Sequence, residues 1–244
     1  MNKFKTVHTH RTIMVAELEK IMDYSLDNNS YFEALSNNVT GKKSADGVKQ
    51  TARFLTKIYS FDTSNIFFDA FRYFWTITDP SEKPLISFIY AINQDYLLSE
   101  SIDVIKSVQI GEKVTVESFE NNIEKNYPNK YSKVTRHSIG KNIASSWKQA
   151  GFIEGKVKNI RTKPVITYRA ACFAFLMAYL NGDRGDFIWG SIGVNSLCLY
   201  ESELRELAIE CAKKDLMQYQ YAGSVTAINF TNLLNKIGIN GDTN

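Results

Sequence analysis

At 244 residues, with 44% hydrophobic and 13% aromatic residues, the chain can bury a sizeable core as one large or two small domains, which excludes a disordered polypeptide. Its net charge of +3 hides an uneven distribution: residues 130–163 carry nine Lys or Arg against one acid, Glu154, a local +8, so the rest of the chain sums to about −5 (3 − 8). Cys172, Cys198 and Cys211 have no paired spacing and read as buried thiols of a reducing compartment, which excludes a disulfide framework.

The N-terminal residues hold no continuous apolar stretch of the kind that directs secretion. The most apolar run, Ala170 to Leu180, is shorter than the roughly 20 residues a membrane span needs. A cytoplasmic location without membrane association is expected. His8 and His10 form an HxH pair with no neighbouring ligand set, so a flexible N-terminal strand or tail is expected there and no metal.

Ile13, Val15, Leu18, Ile21 and Met22 recur at helical spacing until Asp27-Asn28-Asn29-Ser30 interrupts them, and a short helix follows over 31–35. Ser44 is placed to cap a helix over 45–59, and Thr63 the next, which runs to Thr78 with a stripe of Phe67, Phe68, Phe71, Phe74 and Trp75. Asp79-Pro80 ends that helix, because proline disfavours the α conformation of the residue before it. Helical spacing resumes over 82–93 and again over 96–108, ending at Gly111. Residues 1–110 thus read as a helical bundle.

From Gly111 the pattern changes. Lys113 to Val116 favours a strand, Glu117 to Asn126 a short helix, and Pro128-Asn129 a break. Ser132 caps a longer helix to Ala150, with Ile139, Ile143, Trp147 and Ala150 on one face and Gly140 inside it as a close approach or a kink. Its other face presents Thr135, Ser138, Lys141, Asn142, Ser145 and Gln149, flanked by Lys133, Arg136 and Lys148. Amide and hydroxyl groups read base edges, and cations at the margins meet phosphates. Gly151 stops the helix, and two strands, 152–157 and 160–166, follow around Lys158-Asn159 with Lys156, Lys158, Arg161 and Lys163 on the hairpin. Strand, helix, turn, helix and basic hairpin in this order describe a winged helix-turn-helix over 111–166. Double-stranded DNA is the expected partner, because the exposed helix face lacks aromatic residues for stacking single strands. A solvated basic face, or one that docks an acidic protein, is the competing reading.

Beyond the hairpin, Thr167 caps an apolar helix over 168–180 without a polar face, and an amphipathic helix is expected over 202–218. A short strand over 224–228 and a helix over 231–236 complete a mainly helical C-terminal region, 167–244. Phosphate-binding loops, nucleophile elbows and zinc signatures are missing from the sequence, so no enzyme, cofactor, catalytic residue or small-molecule substrate is expected. Glu154 and Lys156 have the ExK ending of metal-dependent nucleases, but no aspartate precedes them on a strand.

Two stretches, AINQDYLLSESIDVI at 91–105 and SKVTRHSIGKNIASSWKQAGFIEG at 132–155, resemble BrxA-type accessory proteins of bacterial BREX phage-defence islands. The shared features are Leu97-Leu98 followed by Asp103, and the Ser-rich helix ending in Ala150-Gly151. The resemblance implies a NusB-like helical domain joined to a winged helix, association with DNA, and other defence-system proteins as partners. This chain continues past the hairpin to residue 244, further than compact members of that group. The expected activity is therefore non-enzymatic binding of duplex DNA within a defence system. A protein-interaction scaffold and an ordinary winged-helix transcriptional regulator are the alternatives.

Overall fold

The structure, a computed structural model, describes residues 5–28, 30–155, 157–223 and 225–238. In chain order the elements are α1 (Val15–Asn28), α2 (Tyr31–Ser36), α3 (Ala45–Tyr59), α4 (Ile66–Ile77), α5 (Lys83–Gln94), α6 (Tyr96–Ser99), α7 (Ile102–Lys106), α8 (Val116–Asn126), α9 (Lys133–Gln149), β1 (Ile153–Glu154), β2 (Ile160–Arg161), α10 (Tyr168–Leu180), α11 (Ile192–Asn195), α12 (Glu201–Lys213), β3 (Gln218–Ala222), β4 (Val225–Asn229) and α13 (Thr231–Lys236). The protein is mainly helical, and its described strands form two two-stranded sheets, β1–β2 and β3–β4. No described helix is long and apolar enough to cross a membrane.

The chain divides into two compact units, residues 1–61 with 94–163, and residues 62–93 with 164–244. This differs from boundaries at 110 and 166. Residues 62–93, expected in the N-terminal bundle, cluster with the C-terminal region, because an apolar stripe such as that of α4 records that it is buried and not against what. In the second unit, α10 packs on α4, α11 and α12. The Phe173 ring lies 6.0 Å from that of Phe71 and 5.2 Å from that of Phe74. Asn65, rather than Thr63, caps α4 by accepting from the Phe67 amide. The Asp79-Pro80 stop holds, and Arg169 clamps that turn through Asp79 at 3.2 Å and Glu82 at 3.0 Å.

The expected helix over 202–218 ends at Lys213 instead, where Asp215 takes a left-handed φ of 55°. Residues 218–222 then form a strand paired antiparallel to β4, in the register Tyr219↔Ile228 and Tyr221↔Thr226. The C-terminal region therefore contains a β-hairpin, and Ser224 of the expected strand lies outside the described residues. Cys172 and Cys211 are buried free thiols, while Cys198 is only half-buried.

In the first unit, α9 runs from the Ser132 cap, whose hydroxyl accepts from the Thr135 amide at 3.2 Å, and buries Ile139, Ile143 and Trp147. Trp147 anchors it: the indole donates to the Ser101 hydroxyl at 2.7 Å and meets the Phe152 ring edge-on at 5.1 Å. Ser101 also breaks the expected 96–108 helix into α6 and α7 by donating to the Leu98 carbonyl at 2.6 Å.

Gly140 is a close approach, not a kink. A Cβ there would lie 3.1 Å from both Cγ1 and the carbonyl oxygen of Val116, at the crossing of α8 and α9. Valine at this position would place two further methyl groups against that backbone. Gly140→Val should cost about 1–3 kcal/mol of stability despite glycine's poor helix propensity. Chemical denaturation measures it, and an unchanged midpoint would show that the two helices are not in close contact.

The N-terminal segment is the largest departure from expectation. Residues 5–14 form no flexible strand or tail. Thr6, Val7 and His8 are buried, and α1 starts only at Val15, after Met14 takes a φ of 53°. His8 Nδ1 sits 2.8 Å from Asp95 Oδ2, and its Nε2 lies 2.9 Å from the Ser146 hydroxyl. Asp95 also accepts from the Thr6 hydroxyl at 2.9 Å and from the amides of Val7 and Leu98 at 2.7 and 3.1 Å. The segment is thereby tied to α6 and α9.

Candidate nucleic-acid interface

The hairpin that follows α9 is shorter than expected. Only Ile153↔Arg161 and Glu154↔Ile160 pair, and the remaining ladder comes from the segment before α8. There Gly111 N donates to Arg161 O, Arg161 N to Glu112 O and Val114 N to Asn159 O, all at 2.8–2.9 Å. β2 therefore lies between β1 and residues 111–114. Gly155, at φ +93°, makes the turn possible, because a Cβ would collide with the carbonyl of Lys158.

The expected binding residues separate into two groups. Lys133, Ser138 and Lys141 are exposed along α9, Ser145 continues that side half-buried, and Lys158 and Lys163 are exposed on and after the hairpin. Lys156 lies outside the described residues. Among the described residues, Lys133, Lys141 and Lys158 have no carboxylate within ion-pair distance. These positions form the accessible part of the site.

The other expected residues are occupied within the fold. Asn142 donates its side-chain amide to the His8 carbonyl at 2.9 Å, and Gln149 Oε1 accepts from the Val15 amide at 3.0 Å. They hold the N-terminal segment instead of facing outward. Thr135 bonds the capping hydroxyl of Ser132 at 2.9 Å, and Arg136 pairs with Glu124 on α8. Lys148 donates to the Gly155 carbonyl at 2.7 Å, a contact that steadies the hairpin turn.

Arg161 departs furthest from the expected wing contact. It is 5% exposed, and its guanidinium donates to the carbonyls of Ile105, at 3.3 Å, Phe152, at 3.2 Å, and Thr162, with the Phe152 ring 5.3 Å away. The guanidinium fork gives these carbonyls charged donors, although that of Phe152 also accepts from the Thr162 amide at 2.9 Å and that of Ile105 from the Val108 amide at 3.4 Å. It is a structural cation.

Lys130, at the start of the basic stretch, is also committed. Its ammonium lies 4.3 Å from the Tyr127 ring centre, 5.2 Å from Tyr96 and 5.4 Å from Tyr131, and it donates to the Tyr96 hydroxyl at 3.3 Å. Burial, then the bond to Tyr96, pushes the Tyr131 hydroxyl up to about 12. Tyr127 is displaced upward as well, by burial and by its bond to Glu100. The cluster closes the turn between α8 and α9.

Two further residues border the accessible side, Val134, which carried little signal in the sequence, and His137, which reads there as a neighbour of phosphate rather than a catalyst. Val134, on the first turn of α9, is 78% exposed, and His137 sits 2.7 Å from Glu120 of α8. A valine among lysines and serines reads as ordinary helix filler unless the exposed face is already known. Glu154 is exposed on β1, and among the described residues no three His, Cys, Asp or Glu side chains gather to hold a metal ion. Comparison with protein families, with curated proteins and with solved structures finds no match for this chain.

Proposed function

We propose that the protein is a non-enzymatic binder of double-stranded DNA, with residues 111–163 acting as a winged helix-turn-helix in which α9 enters the major groove and the β1–β2 hairpin is the wing. The observation that carries this reading is the line of Lys133, Ser138, Lys141 and Ser145 along the outer side of a helix capped by Ser132 and anchored by Trp147, beside a hairpin whose turn bears Lys158. Lysines there neutralise phosphates while serine hydroxyls meet base edges. Lys163 extends the cationic margin. Asn142, Gln149 and Arg161 leave the contact set and become the residues that hold the binding elements in place.

The resemblance to BREX accessory proteins adds a setting to this reading: a cytoplasmic component of a multi-protein anti-phage system, with other defence proteins as partners. A second reading, docking of an acidic protein, draws support from Val134 and Val157, which are 78% and 94% exposed on the same helix and hairpin.

Fluorescence anisotropy with labelled duplexes across about 50–200 mM salt tests the proposal. The log–log slope should be about −0.9 per phosphate neutralised, and Lys141→Ala and Lys158→Ala should each reduce it by about one while leaving the thermal midpoint unchanged. Absence of duplex binding at the lowest salt would overturn the DNA reading and leave protein docking.

A further inference from the structure

The β3–β4 hairpin belongs to the second unit, and its two edges differ. Residues 223 and 224 join Ala222 to Val225, which face each other across the ladder. In a two-residue hairpin that flanking pair exchanges both of its hydrogen bonds, so the alternation of the ladder turns the N–H and C=O groups of Gln218, Gln220 and Ala222 toward β4. Those of Tyr219 and Tyr221 point away from it. On β4 the same alternation turns Thr226 and Ile228 outward, and residues 185–190 pack along that strand: a Cβ on Gly185 would stand 3.1 Å from the Thr226 carbonyl oxygen. On β3 the outward backbone groups of Tyr219 and Tyr221 have no hydrogen-bond partner among the described residues, and Gln220, Tyr221 and Ala222 are exposed.

Natural proteins blunt an open edge with a lysine, a proline or a bulge. β3 has none of these. Its register with β4 runs unbroken from Gln218 to Ala222, and residues 216–235 contain no Asp, Glu, Lys, Arg or Pro in a chain that is 23% charged. The strand is also held rigid from one face. Arg205 donates to the hydroxyls of Tyr219, at 3.2 Å, and Thr226, at 2.9 Å, and its guanidinium lies 3.9 Å from the Tyr221 ring centre. Asp186 and Glu201, at 3.2 and 2.6 Å, balance its charge. An edge preformed in this way loses little conformational freedom when another strand is added to it.

The absence of charge selects a second copy of the chain as that strand. A two-fold contact sets a surface against itself, so it excludes charged positions and favours side chains that are their own partners. Gln220 is one, because its amide both donates and accepts. An acidic or basic peptide would meet no opposite charge on β3.

We propose that two copies of the chain associate through β3, antiparallel about a two-fold axis at Gln220, into one sheet in the order β4–β3–β3–β4. Tyr219 of each copy then exchanges its outward hydrogen bonds with Tyr221 of the other. The two Gln220 side chains meet at the intervening position without ladder bonds, where side chains approach most closely. The contact uses no residue of the proposed DNA interface and stands whether or not the protein binds duplex DNA.

A contact between two short strands belongs to the weak class of interfaces, so sedimentation of the full chain over about 1–500 µM is the test. Particle size should rise from one chain to two across the series. Exchange of the Tyr219 and Tyr221 amides should slow with it, while the Gln220 amide, already directed to β4, keeps its rate. Gln220→Lys and Gln220→Glu each set like charges face to face and should each weaken association about tenfold or more, without unfolding the chain at this exposed position. Mixed in equal amounts, the two variants should restore a dimer with one chain of each. A single chain throughout the wild-type series overturns the proposal. So does a dimer that Gln220→Lys leaves intact, a dimer with unchanged exchange at Tyr219 and Tyr221, or a mixture of the two variants that stays monomeric.

Discussion

Asp95→Ala should destabilise the protein by about 3–5 kcal/mol, the range for breaking a buried, hydrogen-bonded carboxylate network. The carboxylate is 2% exposed and gathers the Thr6 hydroxyl, the Val7 and Leu98 amides and the His8 imidazole. Alanine strands those groups, removes the cap of α6 and releases residues 5–14, which in turn bond Asn142 and Ser146 of α9. Burial raises the carboxyl's affinity for a proton, but the nearby His8, its hydrogen bond and the two amides together outweigh burial and hold the Asp95 pKa below its ordinary value. A group depressed in the folded state contributes stability above its unfolded pKa, near 3.9, and that contribution is lost as the pH falls through the lower folded value. Denaturation curves of the wild type should therefore weaken below about pH 4, and Asp95→Ala should flatten that dependence. A loss under about 1 kcal/mol at neutral pH would show that the N-terminal segment is not anchored through Asp95.

Local signals were legible where the chemistry is local. Ser44, Ser132 and Thr167 cap the helices their spacing predicts, and the Asp79-Pro80 stop and the anchoring of α9 by Trp147 follow from neighbouring residues alone. Residues 5–14 were illegible because their partners are remote. Thr6 and Asp95 are 89 positions apart and His8 and Ser146 are 138 apart, and nothing in a window around His8 distinguishes a buried imidazole from a tail. The same blindness misread Asn142 and Gln149. A polar residue on the outer side of a helix looks available until another segment covers it. Gln218, placed at the end of the expected helix, and Tyr219 to Ala222, given no element, form a strand instead, because Gln-Tyr-Gln-Tyr has no apolar alternation to mark it and only pairing with Val225 to Asn229 decides.

Arg161 offers the sharpest separation between charge that meets a ligand and charge that holds a fold. Arg161→Ala should cost about 3 kcal/mol, because the carbonyls of Ile105, Phe152 and Thr162 lose a charged donor and the packing of a buried side chain on the Phe152 ring is lost with it. Arg161→Lys keeps the charge but not the planar fork, so it should lose most of the same stability, since one ammonium does not reach the carbonyls of Ile105, Phe152 and Thr162 together. Neither change should alter the salt slope of DNA binding measured where the protein remains folded, because a cation already screened by backbone oxygens releases no counterion from DNA. Lys158→Ala is the opposite case: exposed on the hairpin turn, it should shift stability by less than about 0.5 kcal/mol and the slope by about one. Full stability in Arg161→Ala with a reduced slope would return Arg161 to the proposed DNA contact surface and show that the hairpin does not need its guanidinium.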